Sequence, residues 1–156
     1  MEDEILIELF KEKIAKDNEF QLKVFGNSMK PFIEDGDIIG VKKVDYKGIS
    51  IGDVILYYVD KKVFAHRILY KRRRDGGEFL IVKGDFVGSF DFKVQPEQVL
   101  GKVVKIEKKE REIRLENRGA KVYNYLILLY SLMFSMIREY GSRIIKKSKI
   151  KNKVSK

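Results

Sequence analysis

The chain has 156 residues, of which 44% are hydrophobic and 36% are charged, and its net charge is +10. This length and hydrophobic content fit one globular domain with a core of its own, and the charged fraction is above the usual quarter. The absence of cysteine and the presence of a single histidine exclude disulfides, thiolate catalysis, cysteine-ligated metals and multi-histidine metal sites.

The first predicted element is an amphipathic helix over about residues 3–17. Its apolar residues recur at helical spacing: Ile5, Leu6, Leu9, Phe10 and Ile14. The segment opens with acidic residues, and it lacks the basic start and the continuous apolar run of a secretory signal peptide. We therefore do not expect export, and the expected location is the cytoplasm.

Seven segments with strand character follow the helix. The first is residues 19–25, in which Phe20, Leu22 and Val24 alternate with polar neighbours. The other six are residues 37–44, 53–60, 62–71, 78–83, 99–108 and 111–115. Gly, Asp and Lys/Arg clusters separate them, and KRRRDGG at residues 71–77 is predicted to be a hairpin loop. Many short strands with little helix between them predict a mainly β, antiparallel, partly coiled or barrel-like domain.

A serine, Ser28, lies in the turn after the first strand, within FGNSMKPFIEDGD. Either serine simply suits this turn, or the turn presents it as a nucleophile, which requires a base to take its proton. The only histidine, His66, shares a strand face with Phe64 and Ile68. Both a packed histidine and a base for Ser28 fit this position.

Two aspartates are candidates for orienting His66. Asp85 follows Lys83-Gly84 at the end of a predicted strand, and Asp91 lies six residues further on. An aspartate in this role would hold one tautomer of the histidine and stabilise the imidazolium. A glycine followed by an aspartate is also ordinary turn chemistry, so a purely structural role is the alternative for Asp85.

Four segments, GNSMKPFIEDGDIIGV, IGDVILYY, FAHRI and VKGD, occur in an order and spacing that resemble the signal peptidase I superfamily of serine peptidases. That superfamily (the S24/S26 type) includes the self-cleaving repressors and mutagenesis-protein peptidases. The resemblance covers about residues 20–107. Its most specific positions are Gly26, Ser28, Met29, Pro31, Gly36 and Asp37.

The resemblance implies a catalytic role for Ser28, with His66 at the position where most bacterial signal peptidases and the repressors have lysine. A histidine there is similar to the archaeal and endoplasmic-reticulum enzymes. Asp85 matches the aspartate of their Lys-Gly-Asp segment. The resemblance implies a structural role for Asp37 and Asp53, which match glycine-aspartate turns of the family.

The chain departs from the family pattern at three places. Phe86 and Val87 follow Lys-Gly-Asp where asparagines are common, which leaves open whether Asp85 or Asp91 orients His66. Gly26 stands where many relatives carry a hydroxyl that helps to form the oxyanion hole, so the backbone N–H of Ser28 is the expected first donor. The acidic, amphipathic start also differs from the N-terminal membrane anchor of signal peptidases.

The resulting hypothesis is a serine endopeptidase that acts on an extended peptide or protein substrate, without a metal or other cofactor. The strands at residues 20–26 and before His66 are the predicted walls of its substrate site. The alternative is a non-catalytic peptide-binding or regulatory module that retains the peptidase fold.

The positive charge is concentrated in the last part of the chain, and residues 1–119 are predicted to form the catalytic domain. Residues 1–120 carry 24 basic and 22 acidic side chains, whereas residues 121–156 carry nine and one. A nucleic-acid-binding domain carries its basic surface on the domain itself, so we do not expect nucleic acid as a partner.

Residues 120–156 are predicted to form an apolar helix with a basic tail. The apolar stretch at residues 122–137 would be about 24 Å long, which is short of the roughly 30 Å hydrocarbon core of a bilayer. We expect residues 121–156 to bind the inner face of an anionic membrane peripherally. The alternative is a helix packed on an apolar surface of the domain. The sequence leaves the oligomeric state open.

Overall fold

The computed structural model describes residues 2–74, 77–86 and 92–154. Within these ranges the chain forms an N-terminal helix, α1 (Glu2–Asp17), eight strands, and a long C-terminal helix, α2 (Arg118–Val154). The strands are β1 (Glu19–Lys23), β2 (Ile38–Lys42), β3 (Val54–Val59), β4 (Lys62–Arg74), β5 (Gly77–Lys83), β6 (Phe92–Val94), β7 (Val99–Lys108) and β8 (Arg111–Arg114).

The strands form one antiparallel sheet that curls into a half-barrel, in the order β1-β2-β7-β3-β4-β5-β6. Strand β8 pairs with the second half of β7, beyond the part of β7 that pairs with β3. The predicted fold class is confirmed: a mainly β, antiparallel, half-barrel domain with an apolar helix after it.

The apolar side chains form two clusters. The larger one contains Ile7 and Ile14 of α1, the turn residues Met29, Phe32 and Ile33, and inward-facing residues of β1, β2, β3 and β7. The smaller one is built from residues of β3, β4, β5 and their neighbours. Alternating residues of β3 and β4 enter different clusters, because successive side chains of a strand point to opposite faces.

The hairpin between β3 and β4 fixes the register that positions His66. Its two-residue turn is Asp60-Lys61, and both residues adopt positive φ, as the favoured two-residue hairpin turns require. The turn places Val59 opposite Lys62 and Ile55 opposite His66.

The first part of β4 lies at a border of the sheet in the part of the chain that the structure describes. There β5 pairs with β4 over Arg67–Arg74, and β3 pairs with Lys62–His66. Strand β1 pairs with β2 and ends the sheet order on its side. Both predicted walls of the substrate site are therefore border segments of the described sheet.

The structure differs from the sequence prediction in the β4–β5 hairpin. Residues 72–74, predicted to lie in a loop, belong to β4 and pair with β5 as far as Arg74 opposite Gly77. Their charged side chains obscured the strand, because a two-stranded extension beyond the core needs no buried face. The short strand β6 was not predicted, since its three residues are below the length at which alternation is recognisable.

Helix α2 begins at Arg118 and continues through the basic segment to Val154. It faces the domain with a stripe of mostly small or polar residues that are buried: Ala120, Asn124, Leu128, Ser131 and Ser135. Its window Gly119–Arg138 is long and apolar enough to cross a membrane by length and composition, and 22% of that window is buried.

Candidate functional site

The turn that carries Ser28 is anchored at both ends. The N–H of Val24 donates to the carbonyl of Asp37 (2.8 Å), and the N–H of Gly36 donates to the carbonyl of Val24 (2.9 Å). Gly26 adopts φ +101°, which favours glycine, and its N–H donates to the Asp35 carboxylate at 2.8 Å. After Ser28, the chain is held by the side chains of Met29, Phe32 and Ile33, all buried in the larger core cluster.

Ser28 lies within hydrogen-bonding distance of the single histidine. Its Oγ is 3.1 Å from Nε2 of His66, although the two residues are 38 positions apart in the sequence. The His66 side chain is 5% exposed, and its ring packs against the rings of Phe64 and Tyr57. The structure thus combines the two interpretations of His66: it is a packed histidine, and its Nε2 reaches the serine hydroxyl.

The second nitrogen of the histidine ring contacts a tyrosine. The hydroxyl of Tyr57, whose side chain is completely buried, is 2.9 Å from Nδ1 of His66. In the β3–β4 register Tyr57 is opposite Phe64 and therefore diagonal to His66 on the same face of the sheet. If Nε2 accepts the serine proton, Nδ1 carries the ring's other proton and donates a hydrogen bond to the Tyr57 oxygen. No motif in the sequence indicated Tyr57.

Asp85 lies elsewhere. Its carboxylate accepts hydrogen bonds from Nε (2.9 Å) and Nη2 (2.7 Å) of Arg67, and both side chains are buried. Arg67 and His66 are adjacent in β4, so their side chains point to opposite faces of the strand. The structure brings Ser28 and His66 together, but it places the predicted acid Asp85 on Arg67 instead of on the histidine.

The position of Asp85 still affects the site through the backbone. The next residue, Phe86, donates its N–H to the carbonyl of Ser28 at 2.8 Å. Arg67 also donates to the carbonyl of Gly52 (2.8 Å), and its guanidinium lies over the ring of Phe32, 4.8 Å from the centroid. Arg67, Asp85 and Phe86 therefore connect the turn that carries Ser28 with β4, with the turn before β3 and with the segment after β5. Asp91, the other candidate acid, lies outside the described residues.

Helix α2 holds the same segment from the other side. Ser131 donates to the carbonyl of Asp85 (3.2 Å), and Arg138 donates to the carbonyl of Phe86 (2.9 Å). The ring of Phe134 stacks on that of Phe86, with centroids 5.6 Å apart. Buried Lys83 donates to Ser131 Oγ at 3.1 Å. The sequence analysis did not assign α2 to the site, because its contacts are made by scattered single residues.

The two glycine-aspartate turns have a common construction. Asp37 accepts the N–H of Glu34, and Asp53 accepts the N–H of Ser50, each at 2.8 Å and each from three residues earlier. A lysine of β7 also contacts each carboxylate, at 3.0 Å for Lys108 and Asp37 and at 2.8 Å for Lys102 and Asp53. Both aspartates hold turns, in agreement with the structural role that was expected for them.

A mainly apolar cleft with a volume of about 370 Å³ opens beside Ser28 and His66. Residues Leu22–Gly26 form one wall and Val63–His66 form another, and both even and odd positions of each segment contribute. When the edge of a strand borders a cleft, side chains from both faces of that strand contribute to the lining. Leu6 and Phe10 of α1 add to the lining, which the sequence analysis did not predict.

Comparison with known proteins identifies one matching family. The family model described as Peptidase S24-like matches residues 2–104, which include α1, the serine turn, the β3–β4 hairpin and most of β7. The comparison with curated proteins returned no match.

We predict that Asp85→Ala lowers the free energy of unfolding by about 3–5 kcal/mol, because it leaves the buried guanidinium of Arg67 without its counter-charge. Urea denaturation would measure the loss. The double variant Arg67→Met, Asp85→Leu should recover most of it, since no buried charge remains. If Asp85→Ala unfolds at the same urea concentration as the parent, the ion pair does not have the structural role given to it here.

Proposed function

The chain belongs to the peptidase S24-like family, and from the contact between Ser28 and His66 we propose that it is a serine endopeptidase. Ser28 is the nucleophile and His66 is the general base. The 3.1 Å distance between Oγ and Nε2 is the observation that carries this proposal, because it is the geometry that proton transfer from the hydroxyl requires.

The mechanism follows from the positions of the two ring nitrogens. Ser28 Oγ attacks the scissile carbonyl carbon while Nε2 of His66 takes the hydroxyl proton, and the carbonyl oxygen becomes an oxyanion. The scissile C–N bond then breaks as the imidazolium gives the proton to the leaving amine, and the acyl group stays on Oγ. Water next attacks this acyl group while Nε2 of His66 takes a proton from the water, and the imidazolium returns that proton to Oγ as the acid product leaves. The backbone N–H of Ser28 is the proposed first donor to the oxyanion.

Tyr57 is proposed as the positioning residue for His66. Its phenol oxygen lies 2.9 Å from Nδ1, and it holds the ring so that Nε2 faces Ser28. A neutral tyrosine fixes the orientation of the ring without placing a negative charge next to the imidazolium, which is what an aspartate in this position would supply. Within the superfamily, a histidine base is similar to the archaeal and endoplasmic-reticulum type.

The proposed substrate is a peptide or protein segment bound in extended form between β1 and the first part of β4. Each of these strands lies at a border of the described sheet and lines the cleft, which favours the pairing of an added strand with them. The lining is mainly apolar around Ser28, which favours substrates with apolar side chains near the scissile bond.

The alternative proposal is a peptide-binding module without catalysis. The apolar cleft and the border strands that line it would serve such a module equally well. The Ser28–His66 contact favours the peptidase, because peptide binding alone does not require a serine hydroxyl within hydrogen-bonding distance of Nε2 of a buried histidine. A peptide that binds to the cleft and is recovered intact would support the module.

We expect Ser28→Ala and His66→Ala each to reduce peptide hydrolysis by at least about 1000-fold, because each removes a partner of one proton transfer. Peptides from a denatured protein extract, incubated with the full chain and analysed by mass spectrometry, would reveal the cleavage sites. Circular dichroism and urea unfolding would show that both variants keep the fold. Wild-type cleavage by folded Ser28→Ala would disprove the assignment of the nucleophile.

Tyr57→Phe should reduce kcat by about tenfold and leave KM unchanged, because it removes one hydrogen bond to the base but no contact with substrate. Steady-state kinetics on a peptide from the first experiment would give both constants. An unchanged kcat would show that Tyr57 does not position His66.

Leu6→Glu should lower kcat/KM for apolar peptides by about tenfold, because it introduces a charge into the apolar lining of the cleft. Leu9→Glu is the matched control. It makes the same change on the same helix at an exposed leucine outside the cleft. Equal kinetics of the two variants would mean that the substrate does not contact α1.

A further inference from the structure

Helix α2 turns its apolar side away from the domain. With about 100° between successive residues of an α-helix, the buried stripe Ala120–Ser135 lies on one side of α2, and the most exposed apolar residues lie on the opposite side. These residues are Val122, Leu126, Leu129, Met133, Met136, Ile137 and Tyr140, with exposed fractions between 48% and 71%. A helix that packs on a soluble domain has the reverse arrangement.

From this surface and the charge beside it, we propose that α2 binds an anionic lipid bilayer and lies in the plane of its interface. The apolar residues, together with Tyr123, Tyr125 and Tyr130, cover about 160° of the helix circumference. The seam of a two-stranded coiled coil is narrower and is flanked by charged residues. Here the flanking positions are tyrosines, which suit the boundary between hydrocarbon and headgroups.

The basic residues after Tyr140 favour binding to anionic lipid over neutral lipid. After Tyr140 the chain carries seven basic and no acidic side chains: Arg143, Lys146, Lys147, Lys149, Lys151, Lys153 and Lys156. The helix continues through most of this segment, to Val154. A wide apolar face followed by a basic segment is the combination with which interfacial helices bind anionic membranes.

The contacts with the domain distinguish a helix lying on the bilayer from one that spans it. Tyr123 packs on Phe32, Ser131 binds the carbonyl of Asp85, and Arg138 binds the carbonyl of Phe86. These contacts extend over about 22 Å of helix, which is most of the apolar window. A spanning helix would draw the polar surface of the domain into the hydrocarbon, so the docked α2 exposes only its outer side to lipid.

Flotation of the full chain with lipid vesicles tests the proposal. We expect about tenfold more protein to float with vesicles of phosphatidylcholine and phosphatidylglycerol than with phosphatidylcholine alone, and high salt to reduce that binding. The double variant Leu129→Glu, Met133→Glu should lose it. The matched control Leu9→Glu, Tyr70→Glu adds the same charges at exposed apolar positions of α1 and β4 and should bind normally.

Three results would overturn the proposal. The first is equal flotation of the two double variants. The second is a combination of two findings: the full chain does not float, and sedimentation velocity without lipid shows a dimer that the α2 variant abolishes. The partner of α2 would then be a second copy of the chain. The third is resistance of the bound protein to extraction at alkaline pH, which indicates a spanning helix. None of these measurements uses peptidase activity, so they are independent of the proposed function.

Discussion

Arg67 and Asp85 are both withdrawn from water, and the domain depends on how their charges are satisfied. Moving a guanidinium and a carboxylate out of water costs several kcal/mol for each group, and only close geometry and additional hydrogen bonds offset this cost. Here the carboxylate accepts hydrogen bonds from two nitrogens of the guanidinium, and the third nitrogen donates to the carbonyl of Gly52. The ring of Phe32 covers the guanidinium. The ion pair can form only when β4, the turn before β3, the serine turn and the segment after β5 are all in place, so it couples these four parts of the chain.

The candidate site is a consequence of this coupling. Because Arg67 and His66 are adjacent in a strand, holding the arginine on one face directs the histidine to the other face, where Tyr57 and Ser28 meet its two nitrogens. The residue after Asp85 binds the carbonyl of Ser28, so the segment of the ion pair contacts both the strand of His66 and the turn that carries Ser28. Asp85 thereby supports the candidate site from the face opposite the histidine, as a structural anchor of the two segments that carry Ser28 and His66.

The sequence is sufficient to single out Ser28 and His66, which the structure brings within hydrogen-bonding distance, because a motif of fixed local spacing carries each of them. The partners of His66 and Asp85 depend on strand register, which the motifs do not contain. The hairpin turn at Asp60-Lys61 could have revealed Tyr57, since a two-residue turn places Ile55 opposite His66 and therefore Tyr57 diagonal to it. No such signal was available for Asp85: Arg67 lies opposite Lys83, which places Asp85 two residues further along the same face, but the β4–β5 register shifts between Ile68 and Tyr70. The predicted β domain was confirmed because alternation survives in short strands, whereas the charged end of β4 and the three residues of β6 lack that alternation.

Helix α2 could be predicted from its composition, but the direction of its apolar face could not. Hydropathy identifies residues 122–137 as apolar, and both a helix buried on the domain and a helix on a membrane satisfy that description. The small and polar residues show which side of α2 faces the domain, because Ser131 and Ala120 let α2 approach the backbone of the domain closely. Ser131 and Arg138 also satisfy two carbonyls of the segment that binds Ser28. Burying the large apolar residues instead would leave those carbonyls without these donors and would expose the serines to lipid or water. In this orientation α2 donates to the chain beside Ser28, and its apolar face is directed outward.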